Sequence, residues 1–199
     1  MQKANKQHSK TNQRSDKKGA IRIIAGKHRG RKLPVLMAEG LRPTTDRVKE
    51  TLFNWLMPYI NGSRCLDCFA GAGSLGFEAL SRNANHVTLI ELDKAAAKQL
   101  NENKKLLGDD NVNVINTDAL TFLAQPPKNK FDIIFIDPPF HKNLASLALS
   151  LIHNDWLADN ALIYVEVENN AELTTIPENW TLLKEKIAGQ VAYRLYSAA

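Results

Sequence analysis

Hydrophobic residues along this 199-residue chain follow two alternating patterns, which together predict a fold class. From residue 61 onward, short apolar runs rich in Val, Ile and Leu alternate with segments whose apolar residues recur at helical spacing. Such runs are typical of strands buried on both faces, so the alternation predicts an α/β fold with a parallel sheet and right-handed helical crossovers. The expected strands are residues 64–69, 87–91, 112–115, 131–136 and 161–166, and the expected helices are residues 75–81, 94–107, 119–123 and 144–152.

The C-terminal end of the chain departs from this alternation. Residues 180–187 and 191–196 both have the composition of strands, and the turn at Ala188-Gly189 separates them. We therefore expect a terminal hairpin that adds an antiparallel strand at one edge of the sheet.

The first 60 residues predict a separate organisation. Residues 1–19 contain almost no apolar side chains and are predicted to form a disordered basic arm. Residues 20–60 predict an extension made of a β-hairpin, with its turn at residues 26–30, and a helix capped by Thr45. The apolar face of this helix is formed by Val48, Leu52, Trp55 and Leu56. Residues 61–199 then form the main domain.

Charge is distributed unevenly between these parts. The first 49 residues contain 14 basic residues (Lys or Arg) and 3 acidic residues (Asp or Glu). Residues 50–199 contain 12 basic and 18 acidic residues. Such an asymmetry favours a polyanionic partner, most simply nucleic acid, although a solubilising tail or a targeting segment would have a similar composition. The candidate RNA-binding residues are Arg22, Lys27, Arg29, Arg31 and Lys32 on the hairpin and Arg42 and Arg47 at the start of the helix.

Several classes of protein are disfavoured by composition. No apolar run approaches about 20 residues and the N-terminus has no apolar segment, so we expect neither a membrane span nor a secretory signal, and a cytoplasmic location. Cys65 and Cys68 have C-x-x-C spacing, but no second pair exists and they lie on an apolar strand. We interpret them as small buried hydrophobic residues, and we expect no metal site.

The run KFDIIFIDPPF, residues 130–140, carries the strongest signal for a functional site. Two prolines cannot continue a central strand, so the chain leaves the sheet directly after Asp137. Ligands of open α/β sheets bind at the carboxyl ends of their strands. Asp137 followed by an aromatic residue at position 140 therefore favours a flat molecule that carries an N–H group. A simple turn at the end of a strand is the alternative.

Acidic residues also follow the preceding strands, at Asp67, Glu91 and Asp118. Glycines at positions 71, 73 and 76 follow the first strand, where a backbone without side chains can approach a ligand closely, and we expect a side chain at Gly71 or Gly73 to enter the ligand site. Glu91 is placed to bind ribose hydroxyls and Asp118 to accept from an adenine amino group. Because Asp67 favours a cation over a pyrophosphate, the loop favours S-adenosylmethionine over a dinucleotide.

The succession of DCFAGAG, IELD, TDAL and DPPF resembles the class I S-adenosylmethionine-dependent methyltransferases, and DPPF resembles the motif of enzymes that methylate exocyclic amino groups. RIIAGKHRGRKL and LRPTTDRVKETLFNWL resemble one branch, the bacterial 16S ribosomal RNA guanine-N2 methyltransferases of the RsmD type. The resemblance covers residue 21 to the C-terminus. It implies a Rossmann-like, mostly parallel seven-stranded sheet of order 3-2-1-4-5-7-6, with strand 7 antiparallel. It also implies 16S ribosomal RNA in the 30S subunit, or in an assembly intermediate, as the partner, and we expect a monomer.

The same resemblance implies the residues of the site. For S-adenosylmethionine these are Asp67, Phe69, Ala70, Gly71, Gly73, Glu91, Leu92, Asp93, Asp118 and Ala119. For catalysis they are Asp137, Pro138, Pro139 and Phe140. Asp137 and the Pro138 carbonyl would accept hydrogen bonds from the amino group, and Phe140 would stack on the extruded base.

Two other functions remain open at this point. A DNA adenine-N6 methyltransferase uses a similar motif, because Asp137 and Pro138 can hold any exocyclic amino group. A non-catalytic RNA-binding module would keep the basic extension but would not require the acidic residues and glycines to occur together. Cofactor binding separates the second alternative, and the identity of the methylated nucleoside separates the first.

Overall fold

The computed structural model of the chain describes residues 18–36, 46–139, 143–152, 155–171, 173 and 176–198. The predicted alternation of strands and helices is confirmed in these ranges. The strands are β1 (Lys18–Arg22), β2 (Lys32–Leu36), β3 (Arg64–Asp67), β4 (His86–Glu91), β5 (Val112–Asn116), β6 (Phe131–Ile136), β7 (Leu157–Glu168), β8 (Trp180–Ala188) and β9 (Val191–Ala198). The helices are α1 (Asp46–Trp55), α2 (Ser74–Ser81), α3 (Lys94–Leu107), α4 (Ala119–Leu123) and α5 (Leu144–Leu151).

Seven of these strands form one sheet in the order β5-β4-β3-β6-β7-β9-β8, and β1 and β2 form a separate antiparallel hairpin. Counted from β3 as the first strand, the order is 3-2-1-4-5-7-6. Strands β3 to β7 run parallel to one another, whereas β9 runs antiparallel to both of its neighbours, β7 and β8. The predicted class I methyltransferase topology, including its antiparallel seventh strand and basic N-terminal hairpin, is confirmed.

Some predicted boundaries are wrong. β3 ends at Asp67 rather than at residue 69, because the chain already turns into the glycine loop there. β7 begins at Leu157, four residues before the predicted start, and a register shift opposite β6 accommodates the left-handed backbone of Asn160 (φ 58°). β1 begins at Lys18, inside the predicted disordered arm, since pairing with β2 satisfies its backbone whatever its side chains are. The remaining arm, residues 1–17, and the predicted cap Thr45 lie outside the described residues.

The hairpin shares its core with the main domain. Its apolar side chains belong to a hydrophobic cluster that lies on one face of the sheet and includes residues of α1, α2 and α3. The hairpin's contribution to this cluster is Ile21, Ile23, Leu33 and Val35. A second cluster on the opposite face contains residues of α4 and α5. Residues 18–36 are therefore packed onto the sheet through α1–α3.

Cys65 and Cys68 are free and buried, as predicted. Burial raises the pKa of the Cys65 thiol to about 12, with smaller effects from Ser63 and neighbouring carboxylates, so this thiol stays protonated. Within the described ranges, no group of three or more His, Cys, Asp or Glu side chains is arranged to hold a metal ion. None of the helices described has the length and apolarity that a bilayer crossing requires.

Candidate functional site

The four acidic residues predicted to share a site lie at the same edge of the sheet. Asp67 and Glu91 are the last residues of β3 and β4, while Asp118 follows β5 and Asp137 follows β6. These strands are parallel neighbours, so their carboxyl ends are adjacent. This edge is where open α/β sheets bind their ligands.

The loop between β3 and α2 depends on glycine for its conformation. Gly71 and Gly73 have φ of 51° and 78°, in the left-handed region that side chains disfavour. Gly76 serves a different purpose, since a Cβ there would lie 2.2 Å from Leu89 Cδ2. Gly76 thus allows α2 to pack closely on β4, which is the role of the third glycine in a dinucleotide-type fingerprint.

One expectation about this loop is wrong. The sequence predicts that a side chain at Gly73 would enter the ligand site. A Cβ there would instead lie 2.5 Å from Phe77 Cε2 and 2.7 Å from Leu100 Cδ2, both in the hydrophobic core. With the left-handed φ of Gly73, a side chain at this position would point into the core. Glycine is therefore required here by the packing of the core.

Asp67 is buried beneath the loop, with 2% of its surface exposed. Its Oδ2 accepts a hydrogen bond from the Gly76 N–H at 3.2 Å. Its Oδ1 is buried and has no hydrogen-bond partner among the described residues. Burial raises the pKa of Asp67 to about 7, against the lowering effect of the Gly76 and Phe69 N–H groups. An unsatisfied carboxylate oxygen at this place is suited to a hydrogen-bond donor or a cation.

Glu91 connects the end of β4 to the glycine loop. Its Oε2 accepts from the Gly71 N–H at 2.7 Å, and its Oε1 accepts from the Asp93 N–H at 2.7 Å. A carboxylate oxygen can accept a second hydrogen bond, so both keep capacity for hydroxyl groups. Leu92, the next residue, is 68% exposed and offers an apolar surface at the same edge.

Two other predicted ligands cap helices. Asp93 Oδ1 accepts from the Ala96 N–H at 2.7 Å at the start of α3, and Asp118 Oδ1 accepts from the Thr121 N–H at 2.8 Å at the start of α4. Each cap uses one oxygen of its carboxylate. The remaining predicted cofactor residues are Phe69, half-buried, and Ala70 and Ala119, both buried.

Asn116 is a residue of this edge that sequence reasoning missed. Its Nδ2 donates to the carbonyls of Glu91 at 2.8 Å and Leu92 at 2.9 Å, which fixes the chain directly after β4. The available signal was an amide side chain at the end of a predicted strand.

The DPPF motif follows β6 as predicted. Asp137 is half-buried, Pro138 is buried and Pro139 is exposed, while Phe140 lies outside the described residues. Beside the motif, Tyr164 donates its hydroxyl hydrogen to Glu166 Oε2 at 2.8 Å. Sequence reasoning missed both residues, because they lie in a strand whose pattern is purely structural.

The basic residues of the hairpin divide into two groups. Lys27 Nζ lies 2.5 Å from Asp109 Oδ2, and Arg31 Nη2 donates to the Leu106 carbonyl at 2.6 Å, so both fasten the hairpin to the region around the end of α3. The predicted RNA-binding residues with exposed side chains and no described partner of this kind are Arg22, Arg29, Lys32 and Arg47. Arg42 lies outside the described residues.

A buried charged network docks the hairpin from the other side. Glu78 on α2 is fully buried and accepts from the N–H groups of Ile24 at 2.8 Å and Ala25 at 3.1 Å. Arg82 Nε donates to the same carboxylate at 2.8 Å. Lys49, also buried, lies 3.9 Å from Glu78 and donates to the Arg22 carbonyl at 2.6 Å. Glu78 and Lys49 thus hold the chain at the end of β1 and before the hairpin turn, while Arg82 pairs with Glu78.

The second hairpin strand ends beside the glycine loop. A cleft between them is lined by Val35, Leu36, Gly71, Ala72, Ala96, Gln99 and Leu100. The extension that carries the exposed basic residues is therefore in direct reach of the predicted cofactor loop.

Comparison with known proteins agrees with this geometry. The model of the family described as "Conserved hypothetical protein 95" matches residues 21–197. The chain is 63% identical over 183 residues to ribosomal RNA small subunit methyltransferase D of Haemophilus influenzae, covering 90% of this chain and 94% of the relative. It is 58% identical over 181 residues to the Escherichia coli K12 protein of the same name, covering 89% of this chain and 90% of that relative.

A solved structure has the same fold. The Escherichia coli protein yhhF superimposes with a TM-score of 0.83 at 55% identity, covering 90% of this chain and 98% of that one. The match to the family model spans most of the chain, and both relatives are similar over nearly their full lengths. This chain belongs to the "Conserved hypothetical protein 95" family, which includes the ribosomal RNA small subunit methyltransferase D proteins.

Proposed function

We propose that this protein transfers a methyl group from S-adenosylmethionine to the N2 amino group of a guanine in 16S ribosomal RNA. The observation that carries the proposal is the position of Asp137. Its carboxylate follows β6 at the same sheet edge as the glycine loop, the buried Asp67 and Glu91. The relatives' names, which state action on small-subunit ribosomal RNA, support the substrate class.

The residues at this edge fit the cofactor. S-adenosylmethionine supplies an electrophilic methyl group on a sulfonium, together with an ammonium group, ribose hydroxyls and an adenine ring. The unpartnered Oδ1 of Asp67 is suited to a cationic part, and the remaining lone pairs of Glu91 are suited to hydroxyl groups. The exposed Leu92 side chain supplies an apolar surface for a ring, and Asp118 keeps a second oxygen for an amino group.

The Asp137 carboxylate and the Pro138 carbonyl prepare the nucleophile. The lone pair of an exocyclic amine is delocalised into the base, so the amine attacks poorly without help. Two acceptors that take its N–H hydrogens favour the geometry in which the lone pair points at the methyl carbon. Asp137 is also placed to hold the proton that the amine loses after transfer. Phe140 supplies the stacking surface for the extruded base.

The basic extension, residues 20–60, binds the RNA, and residues 61–199 carry the methyltransferase domain. Arg22, Arg29, Lys32 and Arg47 present exposed charges that contact phosphates rather than base edges. Sequence-independent contacts of this kind position a flipped guanine, and the surrounding ribosomal shape selects which guanine is presented. Small-subunit particles are therefore the expected substrate, and naked DNA is a poor one.

Methyl transfer to defined acceptors tests the proposal. The protein is incubated with methyl-tritiated S-adenosylmethionine and either small-subunit particles that lack the modification, protein-free 16S RNA or duplex DNA. The product is digested to nucleosides and identified by mass. We expect N2-methylguanosine from the particles and little transfer to DNA. N6-methyladenosine as the product would contradict the target atom while leaving the fold unaffected.

Replacement of Asp137 tests its role separately. We expect Asp137→Ala to keep cofactor affinity near wild type and to lower turnover by about 10²–10⁴-fold, since the interaction is used mainly in the transition state. Asp132→Ala is the matched control, because Asp132 lies on the same strand at the opposite end and accepts from the Arg64 N–H. Turnover of Asp137→Ala within a few-fold of this control would reduce Asp137 to a turn residue.

A further inference from the structure

Two buried polar residues, Tyr164 and Glu166, lie on β7 beside the DPPF motif and have no part in the transfer described above. β7 pairs in parallel with β6, and Ile136 is opposite Val165. Asp137 directly follows Ile136 and Glu166 directly follows Val165, so the two acidic residues occupy the same level of neighbouring strands. Neighbouring strands lie about 4.8 Å apart.

Asp137 and Glu166 also face the same side of the sheet. Phe135 and Tyr164, two residues before them, both belong to the hydrophobic cluster shared with α1–α3. Side chains two residues apart in an extended chain face one side, so Glu166 continues this row within β7, and Asp137, directly after β6, is placed to continue it. The Phe135 and Tyr164 rings form an edge-to-face pair, with 6.4 Å between ring centroids and 68° between planes.

The Tyr164 hydroxyl holds Glu166 in place. Tyr164 is fully buried, and Glu166 keeps 8% of its surface exposed. Burial raises the pKa of Tyr164 well above its ordinary value, and the carboxylates of Glu166 and Asp137 raise it further. The hydroxyl therefore remains a hydrogen-bond donor at any working pH, and it donates to Glu166 Oε2.

Two acidic residues side by side on neighbouring strands are not expected to stabilise the fold. Two carboxylates on adjacent strands repel each other, and burial removes most of the water from Glu166 and part of it from the half-buried Asp137. A pair of apolar side chains in these positions would fill the same space without that cost. Buried carboxylates at the ligand-binding edge of a sheet instead indicate recognition of hydrogen-bond donors.

The Watson–Crick edge of guanine presents two such donors side by side. Guanine carries the N1–H next to the N2 amino group, whereas the N1 of adenine is an acceptor next to its N6 amino group. Two neighbouring carboxylates therefore match guanine, and one of them would face a lone pair in adenine. Asp137 and Pro138 hold the amino group in either case and cannot make this distinction.

Resting on the proposed guanine-N2 transfer, we propose that Glu166 accepts the N1–H of the target guanine while Asp137 holds its amino group, and that Tyr164 positions the Glu166 carboxylate. Glu166 is then the residue that selects guanine. Tyr164 is a positioning residue, since its hydroxyl acts through Glu166. Sites built to hydrogen-bond a substrate group discriminate strongly against analogues that cannot form the bond.

The test uses a base that keeps the 2-amino group but reverses N1. 2,6-Diaminopurine has an exocyclic amine at C2 and an unprotonated N1. The modified position is first mapped with wild-type protein, and particles are then assembled from RNA that carries either guanine or 2,6-diaminopurine there. Values of kcat/KM for both substrates are measured for wild type, Glu166→Gln and Tyr164→Phe. Cofactor affinity and the free energy of unfolding are measured alongside.

Wild type should prefer guanine. In Glu166→Gln the side-chain amide can donate to the unprotonated N1 and still accept from Tyr164. The ratio of kcat/KM for guanine to that for 2,6-diaminopurine should fall by roughly 10- to 200-fold, with cofactor affinity unchanged. Tyr164→Phe should lower the same ratio less, because it only loosens the carboxylate. A decrease in stability alone would lower kcat/KM equally for both substrates and leave their ratio unchanged.

If Glu166→Gln lowers kcat/KM equally for guanine and 2,6-diaminopurine, or leaves both unchanged, the ratio stays the same and the assignment of Glu166 is overturned. The proposed function still stands in that case, provided that wild type forms N2-methylguanosine. A folded Tyr164→Phe that matches wild type in the ratio overturns the positioning role. Absence of N2-methylguanosine with wild type overturns the proposed function itself, and the assignment of Glu166 with it. The wild-type product thus separates the two failures.

Discussion

The hairpin extension, residues 18–36, and the carboxyl edge of the sheet are both rich in charge, but they use it differently. On the hairpin, Lys27 and Arg31 contact the main domain, while Arg29 and Lys32 are exposed and have no such contact among the described residues. At the sheet edge Glu91, Asp93 and Asp118 accept from backbone N–H groups, whereas the buried Oδ1 of Asp67 has no hydrogen-bond partner among the described residues. Charge by itself therefore does not identify a ligand-binding residue in either region.

The difference follows from solvation. An exposed Lys or Arg retains its water and costs little when it has no partner. A carboxylate at a partly buried edge must be satisfied, and the first N–H groups of loops and helices are the nearest donors. In the hairpin the informative cations are therefore those without a partner among the described residues. At the sheet edge the informative oxygens are those that keep an unused lone pair.

The largest expected effect concerns Glu78, the carboxylate that joins the hairpin to α2. Glu78→Ala removes the acceptor of the Ile24 and Ala25 N–H groups and leaves Lys49 and Arg82 without their buried partner. Removing one member of a buried charged network costs about 3–5 kcal/mol. We expect a decrease of that size in the free energy of unfolding, measured by urea denaturation.

Glu185→Ala is the control for this measurement. Glu185 pairs with Arg194 through a surface contact at 2.6 Å, and it is exposed. Exposed ion pairs contribute about 0–1 kcal/mol. If Glu78→Ala loses no more stability than Glu185→Ala, the hairpin is held by its apolar contacts and the buried network is incidental.

The next effect separates structure from ligand binding in the glycine loop. Gly73→Ala introduces a Cβ against Phe77 and Leu100, and overpacking of a core costs about 1–3 kcal/mol. Gly108→Ala is the matched control, since Gly108 has φ of 65° and nothing within 4 Å of its Cβ position. We expect Gly73→Ala to lower the free energy of unfolding by that amount more than the control does. Equal decreases would show that backbone strain alone requires glycine.

An effect spread over several pH units tests the unsatisfied oxygen of Asp67. The pKa of Asp67 is raised to about 7 in the folded protein, mainly by burial, whereas the pKa of an Asp in an unfolded chain is about 3.9. Below about pH 4 both states hold the proton. As the pH rises to about 7, only the unfolded state loses it readily, so stability decreases.

We therefore expect the free energy of unfolding of the unliganded protein to decrease with pH, relative to Asp67→Asn, by at most about 1.4 kcal/mol per pH unit between about pH 4 and pH 7. Above about pH 7 the difference should be constant. Parallel pH profiles for the two proteins would mean that the Asp67 carboxylate is solvated or paired in solution.

The fold could be predicted from the sequence because each strand and helix is indicated by the pattern of residues within its own segment. The runs at β4 and β6 and the helical spacing in α3 are each complete within a short segment, and the sheet order followed from the resemblance. The end of β3 and the start of β7 could not be predicted. The first depends on where a loop turns, and the second depends on a register shift between β6 and β7.

The positions of the site were predictable, but its contacts were not. Acidic residues at strand ends identify the edge, yet whether Asp93 caps a helix or binds a ligand depends on geometry. Lys49 and Glu78 lie in helices, where charge normally indicates a solvated face, and burial reverses that interpretation. The direction of the missing side chain at Gly73 depends on its φ, which no pattern of residue types reveals.

The smallest effect would sharpen the division among the hairpin's cations. Arg29 and Lys32 are exposed, so Arg29→Ala with Lys32→Ala should remove phosphate contacts without affecting the fold. The slope of log K against log salt for binding small-subunit ribosomal RNA should decrease in magnitude by about 0.7–0.9 for each phosphate that is no longer neutralised. Lys27→Ala with Arg31→Ala removes the same charge, but these side chains hold Asp109 and the Leu106 carbonyl. We expect this pair to lower the free energy of unfolding and to change the slope less, because a cation already bonded to the protein has fewer donors left for phosphate. Equal changes in slope would show that total charge governs binding to RNA, and that the side chains of Lys27 and Arg31 leave their protein partners when the RNA binds.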